Sequence, residues 1–325
     1  TEQYTILEGL RHELGDQVRI FYSEGCHLYR ENVEALAEGD DRISEAVSMA
    51  QRSDVVFLCL GLDARLEGEE GDANNSYAGA DKKDLEFPDS QKHLMEAVCA
   101  VRKPVIFLIS TGSAMNLSYA REKGNAILQT WYPGQMGGIA AANLLFGKTV
   151  PSGKLPVTFY APTQKLPDFE NYSMENRTYR FMEGEALYPF GYGLSYGSFS
   201  YRDLWVETGD WDKKEKVKVK VKVKNTSSWD CWETVEIYVK LMGSPLAVPN
   251  YSLVQFQKVY LKAGEERALT LEVKTQCFQV VDQSGERKWD NTKTVIYAGT
   301  SQPDERSIFL TGQRPLALTV QEKER

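Results

Sequence analysis

Nine residues near the middle of this chain leave little structural freedom. From Lys216 to Lys224 the sequence alternates Lys and Val without interruption. In a β-strand successive side chains point to opposite faces, so this period of two puts every valine on one face and every lysine on the other. On a helix the valines would spiral around all sides. The segment is therefore a strand with one buried and one solvated face. A lysine row can also be read as a seat for phosphate backbones. The pleat already explains the spacing, and the chain is acidic, with 38 Lys plus Arg against 46 Asp plus Glu and a net charge of −8. No nucleic-acid partner is expected. Thr234–Lys240, Leu253–Leu261, Arg267–Val273 and Lys293–Gly299 read as further strands, with turns such as Lys262-Ala263-Gly264-Glu265 between them. Residues 196–325 are thus expected to form an all-β sandwich.

The first 160 residues follow a different grammar. Tyr4–Leu14 has helical spacing, with Leu7, Leu10 and Leu14 on one face, and Gln17–Tyr22 reads as a short strand. A helix is predicted over Asp40–Ser53, with Ile43, Ala46, Val47 and Ala50 as its apolar stripe. Val55–Gly61 is continuously apolar, the pattern of a strand covered on both faces. Helices at Asp89–Arg102, Asn116–Lys123 and Gln135–Phe146 alternate with strands at Pro104–Ser110 and Ala126–Trp131; Pro156–Tyr160 is an outer strand. Such alternation implies an α/β three-layer sandwich around a mostly parallel sheet. Ligands bind these sheets at the carboxyl ends of the strands. The loops after Gly61, Ser110 and Trp131 are where chemistry is expected. Gly134-Gln135-Met136-Gly137-Gly138 opens a helix but lacks a dinucleotide or P-loop fingerprint. Its small residues fit close packing of the helix against the sheet. Residues 161–195, rich in Pro, Tyr, Phe and Gly, read as a connector between the domains 1–160 and 196–325.

A length of 325 residues suffices for two cores, and 42% hydrophobic with 26% charged residues excludes global disorder. No apolar run approaches the roughly 20 residues of a membrane span, so no membrane partner is expected. Cys26, Cys59, Cys99, Cys231 and Cys277 show no CxxC spacing and read as reduced, buried thiols, with no structural metal. The start, Thr1-Glu2-Gln3-Tyr4, carries no secretory pattern, which leaves localisation open with a lean toward the cytoplasm. Glycosylation tripeptides at Asn116, Asn171, Asn176, Asn225 and Asn250 do not by themselves indicate secretion.

The longest loop of the first half runs from Leu62 to Leu85 and holds Glu67, Glu69, Glu70, Asp72, Asp81 and Asp84. A loop of this length is functional or disordered. A carboxylate cluster at a strand end can bind a hard cation, remain a solvated surface, or perform general acid catalysis. The spacing is not that of a calcium hand. Crowded like charges raise one carboxyl's pKa, which a proton donor at neutral pH requires. Nucleophiles are scarce. Ser113, in Thr111-Gly112-Ser113-Ala114, lacks the second Gly of a nucleophile elbow. His12, His27 and His93 read as surface or packing residues.

Several stretches carry a more specific signal. Thr178-Tyr179-Arg180-Phe181 precedes Leu187-Tyr188-Pro189-Phe190-Gly191-Tyr192-Gly193-Leu194-Ser195-Tyr196. Trp131–Gly138, Pro151–Phe159 and Leu85–Gln91 add to it, as do Val223-Lys224-Asn225-Thr226, Val235–Val239 and Leu261–Glu265. Together they resemble family 3 glycoside hydrolases, the β-glucosidase and β-xylosidase group, over nearly the whole chain. The resemblance implies an α/β sandwich domain carrying an acid/base Glu, followed by an immunoglobulin/fibronectin-III-like sandwich. The family's (β/α)8-type barrel, which carries the Asp nucleophile, has no counterpart here. By this resemblance Glu67-Gly68-Glu69-Glu70-Gly71 matches the acid/base loop, with Glu69 the first choice and Glu67 the second. The family's Asp-Arg element is Asp81-Lys82 here; Lys keeps the charge but loses the bidentate fork.

The resemblance thus implies part of a retaining, exo-acting β-glycosidase, most directly a β-glucosidase, without cofactor. Its partners would be a β-glucoside or related saccharide and a barrel domain or chain bearing the nucleophile; homo-oligomerisation is left open. The Tyr188–Tyr196 run is expected to be buried at a domain seam. Two other readings stand beside this one: a non-catalytic carbohydrate-binding or structural subunit, and an unrelated hydrolase or nucleotide-dependent enzyme. The missing elbow, P-loop and dinucleotide fingerprint weigh against the last.

Overall fold

In the computed structural model, which describes residues 2–29, 41–64, 66–67, 82, 84–161, 166–168, 170–290 and 293–321, the apolar runs of the first half pair into a parallel sheet. Its strands are β1 (Val56–Gly61), β2 (Val105–Ser110) and β3 (Ala126–Gln129), in that order. Val56 lies level with Val105, and Ile106 with Ala126. The central strand β2 buries Phe107, Leu108 and Ile109 completely. β1 lies at the sheet's edge. Its Leu58 and Leu60 are buried but Cys59 is exposed. This corrects the expectation of a strand covered on both faces. It also corrects the reading of buried thiols, since all five cysteines are free but only Cys231 is buried.

Parallel neighbours require crossover connections. Here they run through α3 (Asp89–Ala100) and α4 (Ser118–Lys123), with α1 (Ile6–Leu14) and α2 (Asp41–Gln51) ahead of the sheet and α5 (Gly137–Leu145) after it. A reciprocal capping box between Thr5 and Glu8 starts α1. Glycines bring α1 and α5 together. A Cβ on Gly138 would lie 2.0 Å from the Thr5 carbonyl oxygen, and one on Gly9 would lie 2.1 Å from that of Gly138. The glycine-rich opening of α5 therefore serves close packing, but against α1 rather than against the sheet. Gln17–Tyr22 is not a strand, and Pro156–Tyr160 makes only the single bridge Phe159–Tyr188. An extended segment becomes a strand only where a neighbour supplies ladder hydrogen bonds, and no described strand pairs with either.

The chain divides into two units, Thr1–Lys148 with Tyr160–Lys165, and Thr149–Phe159 with Leu166–Arg325. In the second unit the Lys-Val repeat is β5 (Lys216–Asn225), centre of a sheet ordered β4-β5-β8 with β4 (Phe199–Val206) and β8 (Glu266–Lys274). Val217, Val219, Val221 and Val223 are buried. On the other face Lys216 meets Glu272 at 3.0 Å and Lys222 meets Asp203 at 2.9 Å. The second sheet is ordered β12-β11-β6-β7, from β6 (Cys231–Met242), β7 (Ser252–Leu261), β11 (Lys293–Gly299) and β12 (Leu316–Gln321). All pairings in both sheets are antiparallel. The sheets share one core that includes Val221, Val235, Ile237, Leu261, Leu271 and Ile296. A short hairpin, β9 (Val280–Val281) with β10 (Arg287–Lys288), the one-turn helix α6 (Thr178–Phe181) of the connector, and α7 (Glu305–Thr311) complete the unit.

Asn225 is fully buried and donates to the carbonyls of Trp229 and Leu261, so this tripeptide is a structural asparagine. In the connector, Tyr188 stacks on Tyr192 at 5.5 Å and Tyr179 on Phe190 at 4.1 Å. Leu194 and Tyr196, expected buried, are 61% and 51% exposed. Among the described residues no helix is long and apolar enough to cross a membrane.

Candidate functional site

The three strand ends of the parallel sheet converge on one carboxylate. After β1 the chain makes a single turn in which the Asp63 carbonyl accepts from the backbone N–H groups of Leu66 and Glu67, both at 2.9 Å. Leu66 is buried at 2% exposure and anchors this turn. The turn delivers Glu67 to the loops that follow β2 and β3. From the β2 loop, the Gly112 N–H donates to Glu67 Oε2 at 2.8 Å and the Ser113 hydroxyl donates to Oε1. From the β3 loop, the Tyr132 hydroxyl donates to Oε2. Lys82 Nζ stands 3.8 Å from Oε1 and donates to Ser113 Oγ at 2.5 Å.

Local conformation makes this convergence possible. A Cβ at position 112 would lie 2.9 Å from the Tyr132 ring and 3.0 Å from Glu67 Oε2, so a larger residue there would push these two side chains from their present positions. Trp131 occupies the left-handed region at φ 56°, an unusual state for a bulky residue, immediately before Tyr132. The loops are tied to each other: Gln129 donates to Thr111 Oγ1 at 3.0 Å, Thr111 donates to the Ser113 carbonyl at 2.8 Å, and the Ser110 and Thr130 hydroxyls meet at 2.8 Å.

The electrostatics favour a charged Glu67. Partial burial pushes its pKa up. The donors Ser113, Tyr132 and Gly112, with the Lys82 charge, outweigh that effect and hold it below the usual carboxylate value. Burial and the Glu67 charge together raise the Tyr132 pKa. Burial lowers that of Lys82, against the pull of Glu67. A carboxylate held in this way accepts hydrogen bonds and fixes its neighbours. It is not arranged to give up a proton near neutral pH.

The sequence-derived candidates fall on both sides of the described region. Glu67 is at the centre of the site. Glu69, with Glu70, Asp72 and Asp81, lies outside the described residues. Lys82, in place of the family's Arg, does make an ion pair with Glu67, as a point charge and without a fork. Ser113, which the sequence offers as a nucleophile lacking its elbow, is a hydrogen-bond donor to Glu67, and Gly112 and Tyr132 join it although no motif marks them. The available signal was positional, since all three lie in strand-end loops. Among the described residues no group of three His, Cys, Asp or Glu could hold a metal ion.

Fold and site define a two-part chain: a parallel α/β unit whose strand ends gather on a carboxylate, and an antiparallel β-sandwich. Residues 1–196 match the Glycosyl hydrolase family 3 C-terminal domain, and residues 233–302 the Fibronectin type III-like domain. The chain belongs to glycosyl hydrolase family 3. It is similar to a xylan 1,4-beta-xylosidase of Xylanibacter ruminicola, at 36% identity over 82% of this chain and 31% of that protein. It is also similar to the thermostable beta-glucosidase B of Acetivibrio thermocellus, at 32% identity over 84% of this chain and 36% of that protein. Among solved structures, a β-glucosidase from Erythrobacter marinus superposes with a TM-score of 0.81 at 29% identity, covering 99% of this chain and 44% of the other. The GH3 beta-glucosidase of Bifidobacterium adolescentis gives 0.79 at 29% identity, covering 99% and 46%. The chain thus spans about a third of these curated relatives and less than half of these solved chains.

Proposed function

We propose that this chain is the C-terminal part of a retaining, exo-acting β-glycosidase that removes terminal β-linked sugars. β-Glucosides are the first substrate class and β-xylosides the second, since relatives of both names are similar to it. Retaining hydrolysis uses two carboxyl groups about 5–5.5 Å apart, one attacking the anomeric carbon and one protonating the leaving oxygen. This chain supplies the proton donor, and a barrel domain or chain supplies the Asp nucleophile. Glu69 is the general acid/base, and Glu67 positions the loop on which Glu69 lies. The observation that supports this division is the state of Glu67. Three hydrogen-bond donors and Lys82 hold it ionised, while a general acid needs a raised pKa.

The test is a pair of variants in the complete protein, assayed on aryl glycosides with good and poor leaving groups. Glu69→Gln is expected to lose most activity on poor leaving groups and to retain its first step on activated ones. Added azide should rescue it by forming a glycosyl azide, because a small anion needs no general base. Glu67→Gln should lose activity without azide rescue. Rescue of Glu67→Gln and not of Glu69→Gln would exchange the two roles.

A further inference from the structure

In the second unit a two-armed strap crosses the outer face of β6, the face opposite the core residues Val235, Ile237 and Val239. Its arms are residues 151–159 and 187–193. Main-chain hydrogen bonds join them: the Gly191 N–H to the Leu155 carbonyl at 2.8 Å, the Leu155 N–H to the Tyr192 carbonyl at 2.9 Å, and the Leu187 N–H to the Phe159 carbonyl at 2.9 Å. The rest of the unit grips the arms through side chains. Thr234 Oγ1 donates to the Ser152 carbonyl at 3.1 Å, and Arg306 Nη2 to the Leu187 carbonyl at 3.2 Å. Lys154 Nζ donates to the Gly193 carbonyl at 3.2 Å and to Thr300 Oγ1 at 2.7 Å. The first arm lies where the chain leaves the first unit, after Lys148, and returns to it, at Tyr160.

The closed strap keeps polar groups from water. Thr158 Oγ1 on the first arm, with Ser301 Oγ, Gln302 Oε1 and Arg306 Nε, is buried and has no hydrogen-bond partner among the described residues. Each such atom costs the bond that water would give it. Against the second arm lies Glu236, where a Cβ on Gly191 would stand 2.7 Å from its Oε2. Burial raises the Glu236 pKa from 4.5 to about 8; Lys154 from the first arm and Tyr238 lower it, and Glu233 raises it. Tyr179 of α6 meets Tyr238 edge-on at 6.5 Å, and Tyr201 of β4 donates to Glu233 at 2.5 Å. Asp304 acts on Tyr238 through its charge. On the flanking strands Phe256 and Gly299 lie level with Glu236, and neither titrates. Lifting the arms hydrates these groups and leaves intact the apolar core between the sheets.

We propose that this strap opens as a unit while the sandwich stays folded, and that Glu236 makes the opening pH-dependent. Closed, the carboxyl keeps its proton up to about pH 8; open, water ionises it from about pH 4.5. Between these values the open state has released a proton that the closed state holds, so rising pH favours opening. The test is hydrogen–deuterium exchange of the full chain with mass spectrometry at pH 5, 6 and 7, corrected for intrinsic amide rates. Peptides covering 151–159 and 187–193 are expected to exchange sooner than those of β5. Their opening constant should rise roughly tenfold per pH unit. Glu236→Gln, which cannot ionise, should give the same opening constant at all three, and Glu233→Gln should keep the rise. Arms that exchange no sooner than β5, or an opening constant flat in the parent, would overturn the proposal. So would a rise that persists in Glu236→Gln, or one that Glu233→Gln abolishes.

Discussion

Glu236 offers the sharpest physical test of the second unit. It lies within β6 at 3% exposure, where Tyr238 donates to its Oε2 at 2.9 Å. Gly191 gives it room, since a Cβ there would stand 2.7 Å from Oε2. Burial pushes the pKa from its ordinary 4.5 to about 8; the Lys154 charge and the Tyr238 bond pull it down, and Glu233 adds to the rise. At pH 7 the folded chain therefore holds the carboxyl protonated, while the unfolded chain ionises it. Between about pH 4.5 and 8 the native state binds more protons, so stability falls as pH rises through that window and levels off above it. At about 1.36 kcal/mol per unit, the roughly 2.5 units between 4.5 and 7 amount to about 3 kcal/mol. Glu236→Gln keeps the shape and cannot ionise. It is expected to be more stable than the parent by on the order of 1–3 kcal/mol at pH 7, and equal to it at pH 4. For a unit of this size that is several degrees in Tm. Urea unfolding followed by tryptophan fluorescence at pH 4, 7 and 8.5 measures it. A gain of the same size at every pH would trace to packing, and a loss at pH 7 would refute the assignment of a buried neutral carboxyl.

Other expectations concern the first unit. Gly138→Ala should destabilise it by roughly 2–4 kcal/mol, because the new methyl meets the Thr5 and Tyr4 carbonyls at 2.0 and 2.6 Å and α1 must move; thermal unfolding reads this directly. Tyr132→Phe removes one donor from Glu67, so the Glu67 pKa should rise toward its ordinary value, and any acidic limb of the pH–rate profile that reports Glu67 should move to higher pH. Glu67→Gln removes a negative charge close in sequence to Glu69, so the basic limb of the complete protein's profile should move to lower pH; activity lost with no shift in that limb would count against a charge role.

How much of this was legible in the sequence depends on which residues carry a period. The Lys-Val repeat is self-reporting, because one strand with one wet face produces it directly. β4 was not legible. Its register shifts between Arg202 and Trp205, and Asp203 takes φ 57°, so the bulge breaks the alternation that marks a strand. The connector's aromatic run was legible as a motif but not in its exposure: Tyr188 and Tyr192 stack on each other, while Leu194 and Tyr196 lie exposed. Helix α7 depends on Asp304, whose side chain caps it at Ser307, and a seven-residue helix has too few turns to show a face.

The candidate site was legible by topology rather than by motif. The rule that parallel sheets work at their carboxyl ends selected three loops: one carries Glu67, and the other two supply the donors Gly112, Ser113 and Tyr132 to it. Composition could not tell which carboxylate would be charged, because that depends on donors 45 to 65 residues away in sequence. Two carboxyl groups close together can serve different ends only if their surroundings differ. Glu67 has the surroundings of an anion, made from a glycine N–H, two hydroxyls and an ammonium group. Its retained charge also favours the protonated form of any carboxyl nearby, and the Lys82 ion pair moderates that influence. A loop rooted on a fixed anion, with a second Glu two residues further along the chain, is therefore a physically coherent way to set one carboxyl as an anchor and the next as an acid.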